Sequence, residues 1–150
     1  VVSQKSKDKI PYTTINGVHD NRNTKEQISW WTNGFWPGMM WLMYVATKDE
    51  KYKEVAENAE KMLDAALFNY DGLHHDVGFM WNISSGVNYR LTGNKESKKR
   101  LSFATDLLAA RYNTDAYYLW RLFLCRGDLQ TQGKRYALLV EVNSGVLISQ

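Results

Sequence analysis

WWTNGFWPGMMWLMYVATKDE, from Trp30 to Glu50, is the stretch that decides the fold. Trp30, Trp31, Phe35, Trp36, Trp41 and Tyr44 fall within fifteen positions, after a polar segment that runs from residue 1 to about 29. Pro37 suits a helix only in its first turn, where the N–H it lacks would have no intrahelical partner. The spacing therefore predicts a first helix from Phe35 or Trp36 to about Ala46. Thr47-Lys48-Asp49-Glu50 then reads as a tight connector, because Thr47 and Asp49 are good N-caps and Glu50 stands three residues after Thr47. A second helix is expected to run on to about Phe68. Its apolar residues Tyr52, Val55, Ala56, Ala59, Met62, Leu63, Ala66 and Leu67 keep the i, i+3, i+4, i+7 spacing of one buried stripe. Lys53, Glu54, Glu57, Glu60, Lys61 and Asp64 are assigned to the wet face.

Working outward, the same grammar returns. Gly34-Phe35 recurs as Gly78-Phe79, 44 positions later, and Thr47-Lys48-Asp49 recurs as Thr92-Gly93-Asn94, 45 positions later. That places a third helix over roughly Val77 to Leu91 and a fourth over roughly Lys95 to Tyr112, with Leu101, Ala104, Leu108 and Tyr112 facing inward. The first and third are apolar on most sides and the second and fourth amphipathic, which implies alternating inner and outer helices. The fold class expected is all-α: helical-hairpin repeats forming part of a toroid, incomplete because a ring needs several more hairpins than two. Gly34 and Gly38 are expected to permit close helix packing.

The flanks obey different rules. Pro11, Gly17 and Asp20-Asn21-Arg22-Asn23-Thr24 read as an extended arm and turn without regular elements. Residues 114–150 form a tail that departs from the repeat, with residues 1–113 as the barrel part. AYYLWRLFLC, Ala116 to Cys125, reads as a buried helix, and Arg135 to Ser149 as two short strands about Asn143-Ser144-Gly145. Tyr117 to Leu124 is expected to pack on the third and fourth helices and cover their open side.

Composition narrows the class. With 44% hydrophobic and 13% aromatic residues in 150, a core can be buried and a disordered tail is excluded. A net charge of +3 without basic blocks gives no reason to expect nucleic acid. Cys125 is the single cysteine, and no His/Cys spacing suits zinc, so neither disulfide nor structural metal is expected. No run of about 18 apolar residues and no signal-peptide pattern occurs, so no membrane partner is expected and cytoplasm is the expected compartment.

The chemistry is sought in Asn69-Tyr70-Asp71-Gly72-Leu73-His74-His75-Asp76, where the chain enters an inner helix at one rim. Asp76 has two uses open to it: a carboxyl that holds a proton or a sugar hydroxyl, or an N-cap for the helix beginning at Val77. Trp31 and Trp36 have two as well, stacking on a sugar face or filling core.

These motifs carry a resemblance. From Ile10 to about Tyr112, through IPYTTINGVHD, WWTNGFWPG, GLHHDVGF and YRLTGN, the chain resembles the N-terminal half of the unsaturated glucuronyl hydrolases, glycoside hydrolase family 88. The resemblance implies a six-hairpin α/α barrel and, as partner, an oligosaccharide with a 4,5-unsaturated uronic acid at its non-reducing end. It implies cofactor-free chemistry: an acid protonates the double bond, water adds, and the resulting hemiketal opens to release the neighbouring sugar. It assigns Asp76 as catalytic and His75 and Trp31 as substrate-binding. The family's second catalytic acid, in a DCMMN-like motif, does not occur in these 150 residues. The alternative is therefore a non-catalytic sugar-binding piece that self-associates through the open end of the barrel.

Overall fold

The computed structural model describes residues 2–69, 72–73 and 76–109. Their elements are α1 (Val2–Lys5), β1 (Thr14–Ile15), β2 (Val18–His19), a 3-10 turn (Trp31–Gly34), α2 (Phe35–Thr47), α3 (Glu50–Asn69), α4 (Val77–Trp81), a π turn (Asn82–Gly86), α5 (Val87–Thr92) and α6 (Lys95–Ala109). The structure is thus mostly helical. The assignments made for residues 114–150, and for Tyr112, lie outside the described residues.

The predicted arm is more regular than expected. It opens with the short α1 and folds back as an antiparallel pair, Thr14 opposite His19 and Ile15 opposite Val18. Asn16-Gly17 makes this possible, since both residues take positive φ, 51° and 77°, as a two-residue hairpin turn demands.

Both connectors fall where the sequence predicts and are built by the same bonds, with Asp49 and Asn94 as caps, but Thr47 closes α2 instead of capping α3. Thr47 Oγ1 donates to Met43 O, Asp49 N donates back to Thr47 Oγ1, and Lys51 N donates to Asp49 Oδ1. Thr92 Oγ1 donates to Asn88 O, Asn94 N to Thr92 Oγ1, and Glu96 N to Asn94 Oδ1. Between them Lys48 (φ 59°) and Gly93 (φ 73°) close their helices in the left-handed conformation, bonding back to Tyr44 O and Tyr89 O.

Helix α3 joins two cores. Val55, Ala56 and Ala59 bury Trp36, Met40 and Trp41 of α2. Leu63, Ala66 and Leu67 meet Val77, Met80 and Trp81 of α4 and Ala104 and Leu108 of α6, with Ile10 and Ile28 from the arm. The stripe predicted for this helix is the buried one, with Tyr52 and Met62 at its half-buried margin.

Two assignments to its wet face are corrected. Glu60 is fully buried, and Asp64 is paired with Arg100 of α6 through two 2.6 Å bonds. Polarity alone put Glu60 outside, yet it stands four residues after Ala56 and three before Leu63, on the apolar stripe itself.

The third helix is also corrected: the π turn interrupts it. Ser84 Oγ donates to Met80 O, a local bond that competes with the helical ladder. The wider turn leaves backbone carbonyls to be satisfied otherwise, and Arg90 reaches back with Nη2 to Asn82 O and Nη1 to Asn82 Oδ1. Helix α2 is not covered on all sides either, since Phe35, Met39, Leu42, Met43 and Val45 are exposed.

Candidate functional site

Two glycines set how the candidate residues meet. A Cβ on Gly34 would lie 2.5 Å from Met80 Cα, and one on Gly38 would lie 3.1 Å from Ile83 O. The first is a backbone approach that only glycine allows and the second a tight contact, in keeping with the close packing expected for both positions. Moving up one turn on α2 moves up about one turn on the α4 side, so the two segments run side by side in the same direction. One turn earlier on each, Trp31 comes level with the junction of Asp76 and Val77.

Asp76 is half-buried where the chain enters α4. Its backbone carbonyl accepts the Met80 N–H at 3.2 Å. Its side chain makes no cap hydrogen bond, so the capping use is not realised. Gly72 takes a φ of +67°, where an L side chain is strained, and a Cβ on it would run into the Ser29 side chain. Gly72 therefore lies against Ser29, in the segment that leads into Trp30 and Trp31.

Trp31 opens the 3-10 turn and is 37% exposed, its ring edge-on to Phe35 at 5.8 Å. It is surface, whereas Trp36 is buried core. Asn33 braces the turn by donating Nδ2 to Gln27 O and Ile28 O. The structure thus sets Trp31 and Asp76 at one end of adjacent segments. His75 and its neighbour His74 lie outside the described residues. Among the described residues no group of three His, Cys, Asp or Glu is placed to hold a metal ion, and no helix is long and apolar enough to cross a membrane.

Two further groups of interacting side chains escaped the sequence. Glu60 Oε1 accepts from Trp41 Nε1 at 3.0 Å, while Oε2 accepts from Ser97 Oγ (2.7 Å), Ser85 Oγ (3.1 Å) and Asn88 Nδ2 (3.3 Å). Burial pushes its carboxyl above the ordinary carboxylate range despite these donors. Beside Trp31, the Arg22 guanidinium lies 4.1 Å from the Tyr12 ring centroid and 5.6 Å from that of Trp30. Nothing in the spacing of 12, 22 and 30 announces this; the β1–β2 hairpin brings them together.

No family model matches the chain. It is 34% identical over 87 residues to the unsaturated glucuronyl hydrolase of Bacillus sp. (strain GL1), covering 57% of this chain and 23% of that protein. It is 31% identical over 114 residues to the unsaturated chondroitin disaccharide hydrolase of Streptococcus pneumoniae, covering 74% of this chain and 27% of that one. The chain is a partial-length homologue of the unsaturated glucuronyl hydrolases. Its structure matches the Bacillus sp. GL1 unsaturated glucuronyl hydrolase with a TM-score of 0.66 and 29% identity, over 75% of this chain and 29% of that one. It matches a variant of the Streptococcus agalactiae enzyme, complexed with dGlcA-GalNAc6S, with a TM-score of 0.61 and 30% identity over 70% and 27%. The chain spans about a quarter of the length of these unsaturated glucuronyl hydrolase relatives.

Proposed function

We propose that this chain contributes part of a sugar site for a 4,5-unsaturated uronic acid, with Trp31 stacking on the ring and His75 and Asp76 meeting its polar edge. In this reading the hairpins α2–α3 and α4–α6 are neighbouring segments of an (α/α)6 toroid, and Asp76 serves the hydration of the double bond. The observation that supports it most directly is the glycine-set register that levels Trp31 with Asp76. An indole offers flat area at little entropic cost, and a carboxyl at the entry to an inner helix is suited to hold a proton or a hydroxyl.

The test is binding and turnover of an unsaturated chondroitin disaccharide, followed by calorimetry and by loss of the double-bond absorbance. Trp31→Ala is expected to weaken binding about tenfold, equivalent to ~1.4 kcal/mol. Asp76→Asn is expected to abolish any turnover while leaving the fold intact. Unchanged affinity and turnover in both variants would sink the reading.

The second reading, a non-catalytic piece that binds sugar and self-associates, is favoured by one observation: Phe35, Met39 and Leu42 of α2 stand exposed with Ile83 and Val87 about a shared apolar hollow. Solution mass separates the two readings, since a monomer that turns the disaccharide over contradicts the second.

A further inference from the structure

Trp31 can meet a ligand only as well as the turn that carries it is held, and one side chain closes that turn. Before it, Ile28 is buried in the core shared by α3, α4 and α6. After it, Gly34 lies against the Met80 backbone. Within the bend the backbone ties are short: Trp30 N donates to Gln27 O and Asn33 N to Trp30 O, each spanning three residues. The Asn33 amide reaches further. Its Nδ2 donates to Gln27 O at 2.8 Å and to Ile28 O at 2.9 Å, and so joins the end of the bend to its beginning around Ser29, Trp30, Trp31 and Thr32.

The chemistry of this tie is specific. Both partners are carbonyl oxygens, so the amide nitrogen must face them. A hydroxyl offers one donor and a carboxylate none, so the double tie belongs to an amide. Asn33 is 2% exposed, and among the described residues its Oδ1 has no hydrogen-bond partner, which leaves the two donations as the work of its polar end. Trp31, by contrast, keeps more than a third of its surface in solvent and meets Phe35 edge-on. Its direction therefore depends on the backbone that Asn33 closes.

We propose that Asn33 is a positioning residue, which by bonding Gln27 O and Ile28 O across the turn holds Trp31 level with Asp76 and so sets the affinity of that end for a sugar ring. It rests on the sugar-site reading for the ligand, though not for the hold on Trp31.

The test replaces the amide with a carboxyl of the same shape. In Asn33→Asp an ionised carboxylate faces two carbonyl oxygens and bonds neither, whereas a protonated one can donate to one of them. Indole N–H resonances are recorded on the 150-residue chain, that of Trp31 being assigned by its loss in Trp31→Phe, and the unsaturated chondroitin disaccharide is titrated by calorimetry. In mildly alkaline buffer, Asn33→Asp is expected to move the Trp31 resonance, to leave that of Trp41 in place, and to weaken disaccharide binding about fivefold. In mildly acidic buffer both differences from the native chain at the same pH are expected to shrink. Val55→Ala, which opens the core near the connector end of α3, is expected to lower the melting temperature and leave both readouts native. If Asn33→Asp does not fold in alkaline buffer, Asn33→Ser, with one donor, is expected to show the same two changes. A folded variant whose Trp31 resonance stays native overturns the proposal, whether or not the disaccharide binds. So does a moved resonance with unchanged affinity. If the resonance moves and the native chain binds no disaccharide, the hold on Trp31 stands and the sugar-site reading falls.

Discussion

The two hairpins turn alike and pack differently. Helices α2 and α3 are joined by the Thr47–Lys48–Asp49 bonds, and α5 and α6 by the same bonds at Thr92, Gly93 and Asn94. The faces they present have little in common. Helix α2 carries exposed Met39, Leu42 and Met43, whereas the second hairpin buries Ser84, Ser85, Asn88 and Ser97. Ser85, Asn88 and Ser97 converge, with Trp41, on the one carboxyl that α3 sends inward. The difference separates two kinds of information. Turning is local and repeatable, while mating one hairpin to the next depends on a polar set that only one of them contains.

The sharpest way to break this arrangement is to force the hairpins apart. Gly34→Ala drives a methyl into the Met80 backbone, which cannot swing aside as a side chain would, and is expected to cost about 3 kcal/mol. Gly38→Ala, facing Ile83 O at 3.1 Å, is expected to cost less. Thermal denaturation of both variants checks the order, and equal losses would mean that Gly34 does not set the register.

Removing the carboxyl comes next. Glu60→Ala strands buried donors of Trp41, Ser85, Asn88 and Ser97 and is expected to cost about 2–3 kcal/mol. Glu60→Gln keeps the shape and does not titrate. Because the folded pKa is raised, Glu60 holds its proton more tightly folded than unfolded. Its contribution is therefore full below the ordinary value of 4.5 and declines as pH climbs toward the elevated folded value. The stability of the native chain relative to Glu60→Gln is expected to fall with rising pH across that window. Denaturant melts in a pH series measure it, and a flat difference would contradict the burial cause.

The smallest effect compares the connectors themselves. Asn94 Oδ1 accepts from both Glu96 N and Ser97 N, and Asp49 Oδ1 from Lys51 N. Asn94→Ala is expected to cost about 1 kcal/mol, and Asp49→Ala less. A larger loss for Asp49→Ala would show that the second bond to Ser97 N contributes nothing.

These contrasts explain what the sequence disclosed. The connectors were legible because their bonds lie within a few residues of one another, so residue type and spacing nearly specify them. The α3 stripe was legible for the same reason, through its period. Glu60 was not, because sorting side chains by polarity overrode a position that the period itself marked as inward. Of the candidate site, Trp31 and Asp76 were picked out by motif, but whether Asp76 capped its helix depended on its backbone entry, φ −81° and ψ 1°, which residue type does not specify. The Tyr12–Arg22–Trp30 group needed a hairpin to close before its members could meet.

The π turn at Asn82–Gly86 has a consequence for timing along the chain. Gly34-Phe35 leads Gly78-Phe79 by 44 positions, whereas Thr47 leads Thr92 by 45, so one residue is gained somewhere in between. A helix absorbs a single surplus residue by widening one turn from i+4 to i+5 bonding, and the widened turn lies between those two landmarks. It acts as a dislocation in an otherwise matched lattice. Upstream of it, Gly78-Phe79 keeps phase with Gly34-Phe35; downstream, the Asn94 connector keeps phase with Asp49. Deleting one residue between Asn82 and Gly86 would restore an ordinary helix and rotate one of those ends by about 100° relative to the other.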